Sequence, residues 1–191
     1  IEGTQVTLFV VGSAEHYAKL VDGSEKTLKK WCCHSDVEVT FEDRFDPAHS
    51  GPRLINEPFE ISASFSVHAH DEGTEIIIGY SKKPSYGFYN KGLALLVTTD
   101  ATDALGAKAQ RFKNIGFKIK SRYLEHTLSR ETVMRDANLE RTLGMLDQVA
   151  AGPLRAALLA RLATLAAGTT WGLGEHDEYL RLLAHLAAEP S

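Results

Sequence analysis

Residues 59–70 read FEISASFSVHAH, an unbroken alternation. Phe59, Ile61, Ala63, Phe65, Val67 and Ala69 are apolar, and Glu60, Ser62, Ser64, Ser66, His68 and His70 are polar. A period of two is incompatible with a helix, and it places the two sets on opposite faces of a strand. Asp71-Glu72-Gly73-Thr74 follows, then the β-branched run Glu75-Ile76-Ile77-Ile78. A Gly-containing turn between two such runs predicts a β-hairpin. With Glu72-Gly73 at the turn, His70 falls opposite Glu75.

That register puts His68, His70 and Glu75 on one face. Two imidazoles at i and i+2 on a strand point the same way, and a carboxylate beside them completes a candidate three-ligand set for a divalent metal with an open position. The His-hydrophobic-His strand resembles the metal motif of rolling-circle replication and relaxase endonucleases. That resemblance implies a tyrosine nucleophile, here Tyr123, Tyr86 or Tyr89. His-x-His followed by Glu also resembles the first cupin motif, without its flanking glycines or second motif. The metallo-β-lactamase pattern needs a further His where position 73 is Gly. Each resemblance covers about a dozen residues or fewer.

The charge is segregated along the chain. Residues 1–78 hold 6 basic and 14 acidic residues, a balance of −8. Residues 79–125 hold 9 basic and 3 acidic, a balance of +6, and the remainder stands at −2. Such asymmetry predicts an interaction surface of one sign, suited to a polyanionic ligand or to an acidic protein partner, which another copy of the same chain could be. Within the basic segment, Lys82, Lys83 and Lys91 bracket Tyr86, Phe88 and Tyr89 in SKKPSYGFYNKG, which reads as a loop through Pro84, Gly87 and Gly92. Lysines attract phosphates and aromatic rings stack bases, so this stretch predicts a surface for single-stranded nucleic acid or another polyanion. Lys118, Lys120 and Arg122 alternate with Phe117, Ile119 and Ser121 and extend that basic face.

Around these motifs, Gln5–Val11 (QVTLFVV), Val37–Phe41 and the apolar run Leu93–Thr98 read as further strands. Ser13 caps one helix broken at Gly23-Ser24, or the first of two short ones, reaching Cys32. Asp100 or Thr102 caps another, over about 103–114. Glu42, Asp43, Asp46 and His49 cluster in a Pro/Gly loop, as solvated acids or hard oxygen ligands for a cation. From Ser129 the chain turns Ala- and Leu-rich. Stripes through Leu139–Ala150, Leu154–Leu165 and Tyr179–Leu186 predict three short helices, the first ended by Gly152-Pro153. The expected fold is α+β: an antiparallel or mixed sheet of five or six strands in residues 1–128 with two helical crossings, then a helical layer or small bundle in 129–191.

The two cysteines, Cys32 and Cys33, are adjacent and offer neither a disulfide framework nor a zinc cluster, which points to a reducing compartment such as the cytoplasm. Uninterrupted apolar runs are short and Ile1-Glu2-Gly3 has no signal-peptide character, so no membrane partner is expected. No hydrolase elbow, phosphate loop or dinucleotide fingerprint occurs. Three functions compete. The leading one is a binding module with a basic, aromatic surface. The second is a self-assembling scaffold, a homo-oligomer in which the acidic segment of one copy meets the basic segment of the next. The third is a metal-dependent phosphodiester-cleaving enzyme using the His-x-His strand.

Overall fold

The computed structural model describes residues 6–45, 51–128, 132–168, 170–172 and 174–188. Helix α1 (Ala14–Cys32) begins at Ser13, whose hydroxyl accepts from the His16 backbone N–H. A two-stranded ribbon follows, β1 (Thr40–Phe41) antiparallel to β2 (Arg53–Leu54). The main sheet contains β3 (Phe65–Asp71), β4 (Thr74–Tyr80), β5 (Tyr86–Asn90), β6 (Leu93–Thr98) and β7 (Ile115–Ser121), in the order β3-β4-β7-β5-β6. Its pairs are antiparallel except β5 with β7, which is parallel. Between β6 and β7 lie α2 (Ala101–Leu105) and a 3-10 turn, Gly106–Phe112. Helices α3 (Ala137–Val149), α4 (Arg155–Ala167) and α5 (Glu175–Ala188) complete the chain. The fold is therefore α+β, a mixed five-stranded sheet with helices concentrated in the C-terminal part.

The hairpin forms as its sequence requires. Thr74 pairs with Asp71 and Glu75 with His70, and Gly73 takes φ +84° in the turn. The alternation from Phe59 extends beyond the ladder, however, since β3 starts at Phe65. Gly79 explains the change. A side chain there would meet the Phe65 carbonyl at 2.4 Å and the Ala63 methyl at 2.9 Å, so the chain crosses β4 where no Cβ obstructs it. Residues 59–63 lie over one sheet face, and Phe65, Val67 and Ala69 then turn to the other.

That other face is the main core. Ile76, Ile78, Tyr86, Phe88, Phe117 and Ile119 are all at most 1% exposed, and they pack against Phe112, Leu146, Leu154 and Leu182. Burying each such side chain contributes about 1.5–3 kcal/mol. Tyr86 keeps its hydroxyl satisfied by donating to the Phe112 carbonyl at 3.1 Å.

Several local expectations are corrected, the first being the break at Gly23-Ser24, since α1 runs unbroken from Ala14 to Cys32. The stretch around Tyr86–Tyr89 is strand β5, not a loop, because its glycines serve close packing. Residues 6–11 form no strand: they carry no regular secondary structure and are exposed, Phe9 and Val11 at 93% and 99%. Gln5, like Asp46 and His49 of the acidic loop, lies outside the described residues. Gly152-Pro153 does not end a helix. A π turn, Ala150–Leu154, absorbs Pro153, and the Arg155 N–H reaches the Ala150 carbonyl five residues back, so the helix runs on. The helix foreseen over 103–114 is α2, capped by Asp100, followed by the tighter 3-10 turn. The joined run Ala137–Ala167 is long and apolar enough, by length and composition, to cross a membrane, unlike the short runs read from the sequence. Leu139, Leu143, Leu146, Leu154, Leu158 and Leu165 of that run are buried in the core.

Gly92 carries the tightest approach. It adopts φ +82° between β5 and β6, and a Cβ there would lie 1.6 Å from the His34 carbonyl oxygen. Gly92→Ala should therefore lower stability by more than about 2 kcal/mol, combining left-handed strain with a backbone clash. Chemical denaturation checks this, and an unchanged midpoint would mean that residues 34–35 do not rest on this turn.

Candidate functional site

The second face of the sheet carries the polar set, and strand register arranges it in rows. One row runs His70, Glu75, Lys120, Tyr89 across β3, β4, β7 and β5. The next runs His68, Ile77, Lys118, Gly87. Residues 33–39 and 55–63 fold over this face. Asn56 holds the covering segment by accepting from the Val39 N–H at 2.7 Å and donating to the Ser35 and Val37 carbonyls at 2.9 Å.

Over the centre of the face sits His34, 5% exposed. Its Nδ1 is 3.2 Å from the Glu57 carbonyl, which can only accept, so Nδ1 carries the proton. Nε2 is then free to accept from Lys118 Nζ at 2.7 Å. The His34, Phe59 and Tyr89 rings meet edge to face with centroids 5.1–5.6 Å apart. Burial, and then the Lys118 ammonium, hold His34 below the ordinary imidazole value. Burial likewise pulls Lys118 below the ordinary lysine value, against the opposing pull of Cys33, Glu57 and Glu60. Burial raises the Cys33 thiol and the Tyr89 hydroxyl.

Two residues along β7, Lys120 has the opposite environment. Burial alone would lower it, but Glu75 at 3.1 Å and Asp36 at 3.4 Å outweigh that and hold it above the ordinary lysine value. Its Nζ also lies 5.1 Å from the Phe59 ring centre. Beside it opens a groove of about 470 Å³ lined by Asp36, His70, Gly73, Thr74, Glu75, Lys91, Lys120 and Arg122. Arg122 lies across Gly73, where a Cβ would meet its Nε at 2.7 Å. Its guanidinium stacks on Tyr123, 4.9 Å from the ring centre, and Nη2 donates to the Tyr123 hydroxyl at 2.6 Å. Lys91, in the left-handed region at φ +48°, is exposed. A wider depression of about 580 Å³ beside α1 has its Arg53 already tied to Glu25 at 2.6 Å.

The groove therefore unites His70, Glu75, Lys91, Lys120 and Arg122 from the sequence-derived set. The other members are placed elsewhere. Lys82 and Lys83 follow β4 at the opposite end of the sheet, about 20 Å away at 3.3–3.4 Å per strand residue, where Lys82 Nζ lies 3.9 Å from Asp177. Tyr86, Phe88 and Tyr89 are buried in strand β5 and present no face on which a base could stack. Lys118 shares the face of Lys120 as expected, but under the cover of His34. His68, His70 and Glu75 share a face, yet among the described residues no three His, Cys, Asp or Glu side chains converge on a metal position. Glu75 is engaged by Lys120 instead, which uses the carboxylate a metal would need. His34 and Asp36 are the functional residues that sequence reasoning missed. Their partners on β7 stand 84 residues away, and no local motif marks them.

Comparison with protein-family models, with curated proteins and with solved structures finds no match.

Because the folded protein resists protonating His34 while the unfolded chain takes up that proton near pH 6.5, the neutral ring contributes stability above this pH. That contribution is lost as pH falls below about 6.5. Wild type should lose stability between pH 7 and 5 more steeply than His34→Gln, as read by denaturant midpoints at each pH. Equal slopes would remove His34 as the titrating group.

Proposed function

We propose that this protein is a binding module whose groove at the hairpin end of the sheet takes a polyanion bearing phosphate groups, with single-stranded nucleic acid the first candidate. The observation that carries the reading is the convergence of Lys91, Lys120 and Arg122, from separate turns and strands, on one groove beside His70. Arg122 offers a planar fork suited to phosphate, and Lys91 supplies a mobile point charge. Affinity on this reading comes from phosphate contacts and not from base stacking, because the aromatic residues of β5 are buried, Tyr86 and Phe88 in the core and Tyr89 beneath His34 and Phe59.

A second reading, self-association of two copies, is favoured by the exposed apolar run Val6, Leu8, Phe9, Val10 and Val11, followed in sequence by exposed Tyr17 and Leu20 on α1. The charge-driven form of that reading has less support, since Asp36 and Glu75 of the acidic segment already meet Lys120 of the basic one within a single chain. Light scattering separates the two. Apolar association persists as salt rises, whereas charge-driven association is screened. A monomer at low and high salt removes both.

The test of the leading reading is anisotropy of a labelled mixed-sequence oligonucleotide in 50 mM salt, with inorganic polyphosphate as competitor. Lys91→Ala and Arg122→Ala should each weaken binding for every sequence and flatten the salt slope by about 0.7 per lost contact. Lys82→Ala and Lys83→Ala, at the far end of the sheet, should bind as wild type. Absence of retention at micromolar protein, or equal losses at Lys82 and Lys91, overturns the reading.

A further inference from the structure

We propose that Lys118 is an amine nucleophile that captures, as an imine, an aldehyde or ketone whose anionic end sits in the neighbouring groove. The proposal rests on the anion-binding reading of that groove and names a substrate class for it. Three observations carry it. Lys118 is a half-buried lysine hydrogen-bonded at 2.7 Å to a neutral imidazole nitrogen and not to a carboxylate. His34 is fixed in the accepting tautomer by the Glu57 carbonyl, so it is oriented to take a proton from Lys118 Nζ. Lys118 and Lys120 stand two residues apart on one strand face, about 7 Å, so a short chain with a carbonyl at one end and a carboxylate or phosphate at the other spans the two.

The apolar surroundings support the same chemistry. The rings of Tyr89 and Phe59 flank His34, and burial disfavours the ammonium form of Lys118, which is how amines are activated for imine formation. The step balances without an added oxidant or reductant. Lys118 passes one proton to His34 Nε2, and the freed nitrogen lone pair attacks the carbonyl carbon. The C=N bond forms, and the two remaining amine protons leave with the carbonyl oxygen as water. Lys120, held protonated by its ion pairs with Glu75 and Asp36, orients the anionic end. Cys33, its thiol held protonated by burial, does not compete as a nucleophile.

The experiment treats the whole chain at pH 7 with succinic semialdehyde and cyanoborohydride, which reduces any imine to a stable secondary amine, and maps the added mass by peptide. Lys118 is expected to be modified at least about tenfold faster than exposed Lys82 and Lys83. Butanal, the uncharged counterpart, should show much less preference for Lys118, and His34→Gln should bring the Lys118 rate down toward that of the surface lysines. Mapping the wild type needs no variant, so a folding defect in His34→Gln leaves the main comparison intact. Modification of Lys118 no faster than of Lys82 and Lys83 overturns the proposal. Equal selectivity with butanal overturns the role of the groove, and with it the anionic substrate class. Selective labelling in a protein that retains no oligonucleotide supports the imine reading and removes the polyanion one.

Discussion

Two lysines project from one face of β7, which is the middle strand of the sheet. A central strand has neighbours on both sides, so neither side chain reaches solvent past a free edge. Leaving an ammonium desolvated and unpaired there is costly. The fold meets this constraint twice, by different means. Lys120, nearer the hairpin end, receives two carboxylates. Lys118, deeper, receives an imidazole that can share its proton. Both solutions come from the segment after α1, through Asp36 and His34, and that segment must therefore lie across the sheet. The covering loops, the Asn56 clamp and the contact of His34 with Gly92 all follow from supplying these two partners.

The opposite face has no such conflict, and it is where stability resides. Phe117, central on the same strand, meets Tyr86, Phe88 and Phe112 with ring centroids 5.3–6.1 Å apart. The C-terminal helices close over this layer. A strand with an aromatic core on one side and paired cations on the other has a fixed register, because a slip of one residue would bury both lysines in the apolar core. Register in turn fixes the rows on the polar face, so the position of the groove follows from the packing behind it.

Much of this was legible in the sequence where the pattern was local. The His70–Glu75 apposition follows from the turn residues alone, and the strand Leu93–Thr98 and the Asp100 cap follow from composition and capping chemistry. Failures came where tertiary contacts reassign a local signal. Gly87 and Gly92 look like loop residues. In the fold, Gly87 makes room for the Tyr89 ring, where a Cβ would lie 2.6 Å from it, and Gly92 makes room for the His34 backbone. The lysines near positions 82 and 91 are neighbours in sequence, but a strand that runs between two turns carries its flanking residues to opposite ends. Residues 6–11 have the β-branched composition of a strand, yet propensity supplies no pairing partner. His34 is invisible to any motif because its role depends on a residue 84 positions later.

The segregation of acidic and basic residues along the chain acquires a physical meaning in the folded state. Part of it is consumed within the chain, where Asp36 and Glu75 meet Lys120, and part is left over in Lys91 and Arg122. The two carboxylates are not equivalent. Asp36 is 57% exposed at its side chain and sits at 3.4 Å, while Glu75 is 26% exposed at 3.1 Å. Ion pairs open to solvent are worth about 0–1 kcal/mol, so the Asp36 pair with Lys120 is the weaker of the two, and the proposed anion would displace Asp36 more readily than Glu75. Glu75, held in the hairpin register, keeps Lys120 aimed at the groove throughout. On the proposed anion-binding reading, Asp36 would be an exchangeable counter-charge for Lys120, and Lys91 and Arg122 would add the charge that favours exchange.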